Sequence, residues 1–119
     1  MNTLIIKWQG QSYLAMENKV DQKKALALLG LARRAGKLTT GQDQVLKAIR
    51  TKKAYVVLMA NDSGQSTQKK FSDKCHSYEI ALTTEFTKQE LSSAIGAKRS
   101  LIAVTDPGFG KKIRQLLFS

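Results

Sequence analysis

The sequence is poor in the residues that build covalent chemistry or covalent staples. Its 119 residues hold one Cys, Cys75, and one His, His76. A single thiol excludes a disulfide framework within the chain, and one Cys beside one His falls short of a zinc site, so no metal or other cofactor is expected. An intracellular, reducing compartment, the cytoplasm, is the expected location. Long hydrophobic runs are absent from the start of the chain, where Leu4-Ile5-Ile6 is too short for a signal peptide or a membrane span. No membrane partner is expected. Acidic residues are scarce as well: 9 Asp+Glu face 20 Lys+Arg, a formal net charge of +11. The excess is not concentrated in a tail, so a folded surface carries it and an acidic polymer, nucleic acid first, is the expected partner.

A chain of this length is one domain, and 42% hydrophobic residues suffice for one ordinary core. That excludes a two-domain enzyme with its substrate cleft between domains. Residues 1–15 read as an N-terminal extension, with Met16 as the natural start and 16–119 as a single domain. The extension carries only one charge, Lys7, so the positive charge belongs to the domain itself.

Between Val20 and Ala35, the residues Ala25, Leu28, Leu29, Ala32 and Ala35 recur at helical spacing, and Gly36 supplies a C-terminal cap. Arg33 and Arg34 sit in the last turn, where cations complement the helix dipole and can equally reach phosphate. After Lys37-Leu38-Thr39-Thr40, Gly41 opens a second helix with Val45, Ala48 and Ile49 toward a core and Asp43, Lys47 and Arg50 opposite. The β-rich run from Ala54 to Ala60 suits a strand buried on both faces and stops at the turn Asn61-Asp62-Ser63-Gly64. Thr67, Phe71 and Cys75 mark a third helix, followed by a weaker strand near Tyr78 to Leu82. Thr87-Lys88-Gln89-Glu90 is a capping box with Phe86 and Leu91 as its hydrophobic staple; that helix ends at Gly96. The basic loop Ala97-Lys98-Arg99-Ser100 leads to the strand Leu101 to Val104, and Pro107 starts a last helix. Helices alternating with short buried strands predict an α/β sandwich with at least partly parallel pairing.

The chemistry these residues support is narrow. Cys75 and His76 are adjacent, so on a helix they point about 100° apart and cannot form a nucleophile and base. Asp62 and Asp106 each follow a strand in a turn that opens a helix, where Asp acts as a cap. Gly108-Phe109-Gly110-Lys111-Lys112 resembles a phosphate loop only in part: Thr105 stands where a Walker motif needs Gly, Lys112 where it needs Ser or Thr, and Ile113 at the third glycine of G-x-G-x-x-G. A small nucleotide-dependent enzyme using this stretch is therefore a rival reading, tested by nucleotide binding. The stronger constellation runs from Gly41 through Gln42, Asp43, Gln44 and Lys47 to Arg50. A helix N-terminus with an amide and a cation within one turn can address phosphate and guanine edges, and the same pattern also suits a solvated amphipathic helix.

The span from about Leu26 to Phe118 resembles the L-seven-Ae family of kink-turn-binding ribosomal proteins, especially its small bacterial YlxQ-like branch. The resemblance rests on Leu28 to Lys37, on Gly41 to Arg50, on Val57 to Asp62, on Lys69-Lys70 followed by Cys75, and on Ala103 to Phe109. It implies a three-layer α/β/α sandwich around a mixed, about four-stranded sheet. It also implies a non-enzymatic RNA-binding protein, with no small-molecule substrate, that recognises a kink-turn in structured RNA, ribosomal RNA foremost. By position, Gly41 would allow close backbone approach, Lys47 matches the family's Lys, and Asp43 and Gln44 stand where the family commonly has Asn-Glu. Ionised Asp43 can only accept, so it would orient Lys47 or take a guanine N–H rather than donate to O6. In the loop, Ala97 would meet looped-out nucleotides and Lys98 and Arg99 phosphate, with Lys37 and Arg34 as peripheral phosphate contacts. A nonspecific basic module that binds RNA or an acidic protein through charge alone is the other rival.

Overall fold

The computed structural model describes residues 11–118. Five helices and four strands alternate among them: α1 (Gln11–Arg34), β1 (Leu38–Thr40), α2 (Gln42–Arg50), β2 (Val56–Met59), α3 (Gln65–Ser77), β3 (Ala81–Thr83), α4 (Lys88–Ile95), β4 (Leu101–Val104) and α5 (Pro107–Phe118). The strands form one mixed sheet in the order β1-β4-β2-β3, with β4 antiparallel to both neighbours and β2 parallel to β3. No described helix is long and apolar enough to cross a membrane.

The side-chain alternation of the central strands builds the layers. Val56 and Leu58 on β2, with Ile102 and Val104 on β4, pack against Leu29 of α1, Leu91 of α4 and Ile113 of α5. Val57, Met59, Leu101 and Ala103 point to the other face and meet Val45 and Ile49 of α2 and Phe71 and Cys75 of α3. A strand whose two faces both meet helices needs no polar alternation, which is why β2 and β4 read as continuous apolar runs. The three-layer sandwich is thus as expected.

Four local expectations change. Helix α1 begins at Gln11, nine residues before Val20, and so takes in the last residues of the expected extension; Leu4-Ile5-Ile6 lies outside the described residues. Leu38-Thr39-Thr40 is a strand, held by pairing with Ile102 to Val104 rather than by any pattern of its own. The segment Tyr78-Glu79-Ile80 forms the end of α3 and a turn, with Glu79 at φ 56°, so β3 starts only at Ala81. Asp62 caps α4 rather than the helix that follows it, its Oδ1 accepting from Lys88 N at 3.0 Å. The capping box at Thr87 and Glu90 has both of its hydrogen bonds, and Phe86 and Leu91 are buried.

Candidate nucleic-acid interface

Helix α2 is fixed from below. Val45, Ala48 and Ile49 are buried, which leaves Asp43, Gln44, Lys47 and Arg50 exposed on the opposite side. The chain enters through Gly41 at φ 88° and ψ 156°, a region essentially restricted to glycine. Its N–H donates to Leu101 O at 3.1 Å and its carbonyl accepts from Val45 N at 3.0 Å. No side chain caps this helix, so its positive dipole end opens outward. Gln42 is turned aside, its Nε2 donating to Thr67 Oγ1 on α3 at 3.4 Å.

The basic loop before β4 meets this helix end. Its own shape is set by Ser92, whose hydroxyl accepts from Arg99 N at 3.0 Å and donates to Arg99 O at 3.1 Å. The Arg99 guanidinium then reaches across, Nε donating to Thr40 Oγ1 at 3.0 Å and Nη1 to Lys98 O at 2.7 Å. Loop and helix are joined through β1 and β4, because antiparallel pairing puts the end of β1 beside the start of β4. Ala97 packs partly buried against the core while Lys98 and Arg99 are exposed. An open cleft of about 620 Å³ lies alongside, lined by Asp62, Lys88, Gln89, Ser92, Ala97 and Lys98.

The structure therefore brings together Gly41, Asp43, Gln44 and Lys47 with Arg99 and its loop. Two peripheral candidates are not brought there. Lys37 lies at the far end of β1, where its carbonyl accepts from Thr105 N at 2.9 Å and Thr105 Oγ1 at 3.1 Å. Arg34 lines a separate cleft between α1 and α4, with Leu26, Gly30 and Ala94. Its neighbour Arg33 has a structural role, with Nη1 donating to Ile95 O at 2.6 Å at the end of α4. Asp43 does not orient Lys47: among the described residues the ion pair is Lys69 with Asp73, at 3.4 Å. Thr40, Ser92 and Lys88 were not singled out from the sequence. The capping box located Lys88 on a helix start, but nothing local ties Thr40 to Arg99, 59 residues away.

The rival chemistries find little support. Cys75 is buried, and desolvation pushes its thiol from 9.0 up to about 11, which suits a core residue rather than a nucleophile. Asp106 caps α5, its Oδ2 accepting from Phe109 N at 2.9 Å. Gly110 is a packing glycine, since a Cβ there would stand 2.6 Å from Tyr55 Cβ. Of the amides in this stretch, those of Phe109 and Gly110 already donate to Asp106. No group of three or more His, Cys, Asp or Glu is placed to hold a metal among the described residues.

Known proteins share this architecture. The chain is 40% identical over 100 residues to the RNA-binding protein YlxQ of Enterococcus faecium, covering 84% of this chain and 97% of that one. It is 42% identical over 91 residues to RNA-binding protein YlxQ of Bacillus subtilis (strain 168), covering 76% and 91%. A solved structure from Bacillus halodurans C, described as a protein with unknown function, superposes with a TM-score of 0.77 at 42% identity over 81% of this chain and 98% of that one. The Giardia lamblia 15.5kD RNA binding protein shares the fold at a TM-score of 0.69 and 15% identity, covering 85% of each chain. Residues 23–114 match the Ribosomal protein L7Ae/L30e/S12e/Gadd45 family, and the chain belongs to that family.

Proposed function

We propose that this chain is a non-catalytic RNA-binding protein that recognises a kink-turn in structured RNA, ribosomal RNA foremost, in the cytoplasm. The observation that carries the reading is the Arg99 to Thr40 hydrogen bond, which presents the basic loop and the uncapped end of α2 as one surface. The YlxQ relatives, named as RNA-binding proteins, support the partner class.

An ordinary A-form helix hides its base edges in a deep, narrow groove, whereas a kink opens them. In the proposed complex Gly41 lets the helix backbone approach closely, and Lys47 and Gln44 address guanine N7 and O6. Asp43, free of any partner on Lys47, accepts a guanine N–H. Lys98 and Arg99 hold phosphate while Ala97 lies against the looped-out nucleotides. Arg50 extends the same exposed face by one turn. The RNA is bound and held in its bend, with no covalent change.

Lys47→Ala tests the assignment. A base contact predicts a loss of about 1–3 kcal/mol on kinked RNA and little on the same duplex without the kink. Equal losses on both would remove Lys47 from base recognition.

A further inference from the structure

The end of the sheet opposite the α2 N-terminus carries its own positive face. Strand β4 starts at Leu101 beside Gly41 and ends at Val104, whose carbonyl accepts from Tyr55 N at 2.8 Å. Three residue steps along the strand separate the two ends by about 10 Å. At this far end the turn after α2 brings Lys52 and Lys53, the start of β1 brings Lys37, and α5 brings Lys111 and Arg114, all outside the kink-directed surface.

The face is built rather than incidental. Tyr55 sits directly over Gly110, where a side chain would collide at 2.6 Å, and Arg114 Nη1 donates to Tyr55 O at 2.8 Å. The lysine turn is thereby locked onto α5. Lys52 itself occupies the left-handed region, φ 58°, its N–H donating to Ile49 O at 3.1 Å and that of Lys53 to Ala48 O at 2.9 Å. Glycine or asparagine takes that conformation with less strain, so a lysine there keeps a charge at a conformational cost. The helix dipole rewards a cation at this end only in part, since Lys47 and Arg50 already occupy the last turn of α2. Lys52, Lys53 and Lys111 are exposed and make no ion pair among the described residues. Of the acids nearby, Asp106 is committed to capping α5, and Glu79 is an exposed acid just before β3 at the same end of the sheet, since β2 and β3 run parallel.

We propose that this face is a second RNA contact, directed at the phosphates of a duplex, so that the domain holds two RNA segments at once, one at each end of β4. Exposed lysines without ion-pair partners match the closely spaced phosphates of a polyanion, and an acidic protein surface is the alternative the experiment separates. The inference goes beyond the kink-turn reading, and rests on it only for the class of partner.

The test uses the whole chain and two labelled RNAs, a kink-turn duplex and a fully Watson–Crick duplex. With the kink-turn duplex at saturation, the wild-type protein is expected to take up the plain duplex as a 1:1:1 complex in sedimentation, with an affinity that falls steeply with salt. The variant Lys52→Asn, Lys53→Gln, Lys111→Gln should weaken that second binding at least about tenfold and lower the salt slope by roughly one unit per contacting lysine, while kink-turn affinity stays within about twofold. Thermal melting confirms that the variant is folded; Asn keeps the left-handed position comfortable. Absence of the ternary complex, or a variant that binds the plain duplex like wild type, would overturn the second contact and leave the face to a protein partner. A variant that weakens both RNAs equally would overturn it too, as general charge. If the wild type shows no preference for the kink yet the variant still loses the plain duplex selectively, the kink-turn reading fails and the second contact stands.

Discussion

Arg99 Nε donates to Thr40 Oγ1 at 3.0 Å, tying the loop before β4 to the residue that precedes Gly41. The bond holds two segments, 59 residues apart in sequence, in one orientation, and the surface proposed to meet a kink-turn depends on it. Thr40→Val removes the acceptor and leaves every charge in place. A hydrogen bond to a charged donor contributes about 1.5–3 kcal/mol, and solvent competition at this exposed site reduces that to about 1 kcal/mol, or roughly fivefold in kink-turn affinity. Titration against a kink-turn duplex reads it, and an unchanged affinity would make the tether incidental.

Gly41 carries the entry into α2 at φ 88°, with nothing within 4 Å of where a Cβ would stand. The cost of Gly41→Ala is therefore conformational rather than steric, about 1–3 kcal/mol. A lowered urea midpoint with an unchanged slope is the expected result. No change in midpoint would mean that the backbone at this point relaxes freely.

Gly110→Ala has the opposite cause. The added methyl would stand 2.6 Å from Tyr55 Cβ, so Tyr55 must move or α5 must tilt. Overpacking of this kind costs about 1–3 kcal/mol, read from the urea midpoint. The two glycines separate on adding Tyr55→Gly, which removes the Cβ that the new methyl meets, so it relieves Gly110→Ala and leaves Gly41→Ala untouched.

Cys75 makes stability depend on pH in one direction. Burial raises its thiol from 9.0 to about 11, so the folded state keeps a proton that the unfolded chain gives up. The contribution is fully present below about pH 9 and is lost as the pH rises toward 11. Lysines titrate nearby in pH, and the difference between wild type and Cys75→Ala at each pH isolates the thiol. That difference should shrink from pH 9 to 11; a constant difference would contradict the desolvation. The native thiol should also resist alkylation at pH 8 until the protein unfolds.

Much of this was readable in the sequence wherever the cause is local. Leu29 and Ile49 declare their helices by spacing, Thr87 and Glu90 declare a helix start, and the apolar runs around Val57 and Ala103 declare strands covered on both faces. What escaped depends on partners distant along the chain. Leu38-Thr39-Thr40 is too short for a pattern and becomes a strand only through β4. Asp62 sits where it should cap the next helix and instead caps one that begins 26 residues later. Lys37 is four residues from Gly41, yet an extended strand carries it to the other end of the sheet. The exposed face of α2 was legible from its amphipathic pattern. Its junction with Arg99 was not, because strand order, which the pattern does not encode, makes that junction.

The most direct test of the central claim is a titration of the protein at two salt concentrations against a kink-turn duplex and the same duplex with its G·A pairs changed to Watson–Crick pairs. Kink-turn recognition predicts a preference for the kink of about two decades or more that persists at high salt, because base and shape contacts release few counterions. Equal affinities that fall steeply together as salt rises would contradict it, and would leave charge alone as the basis of binding.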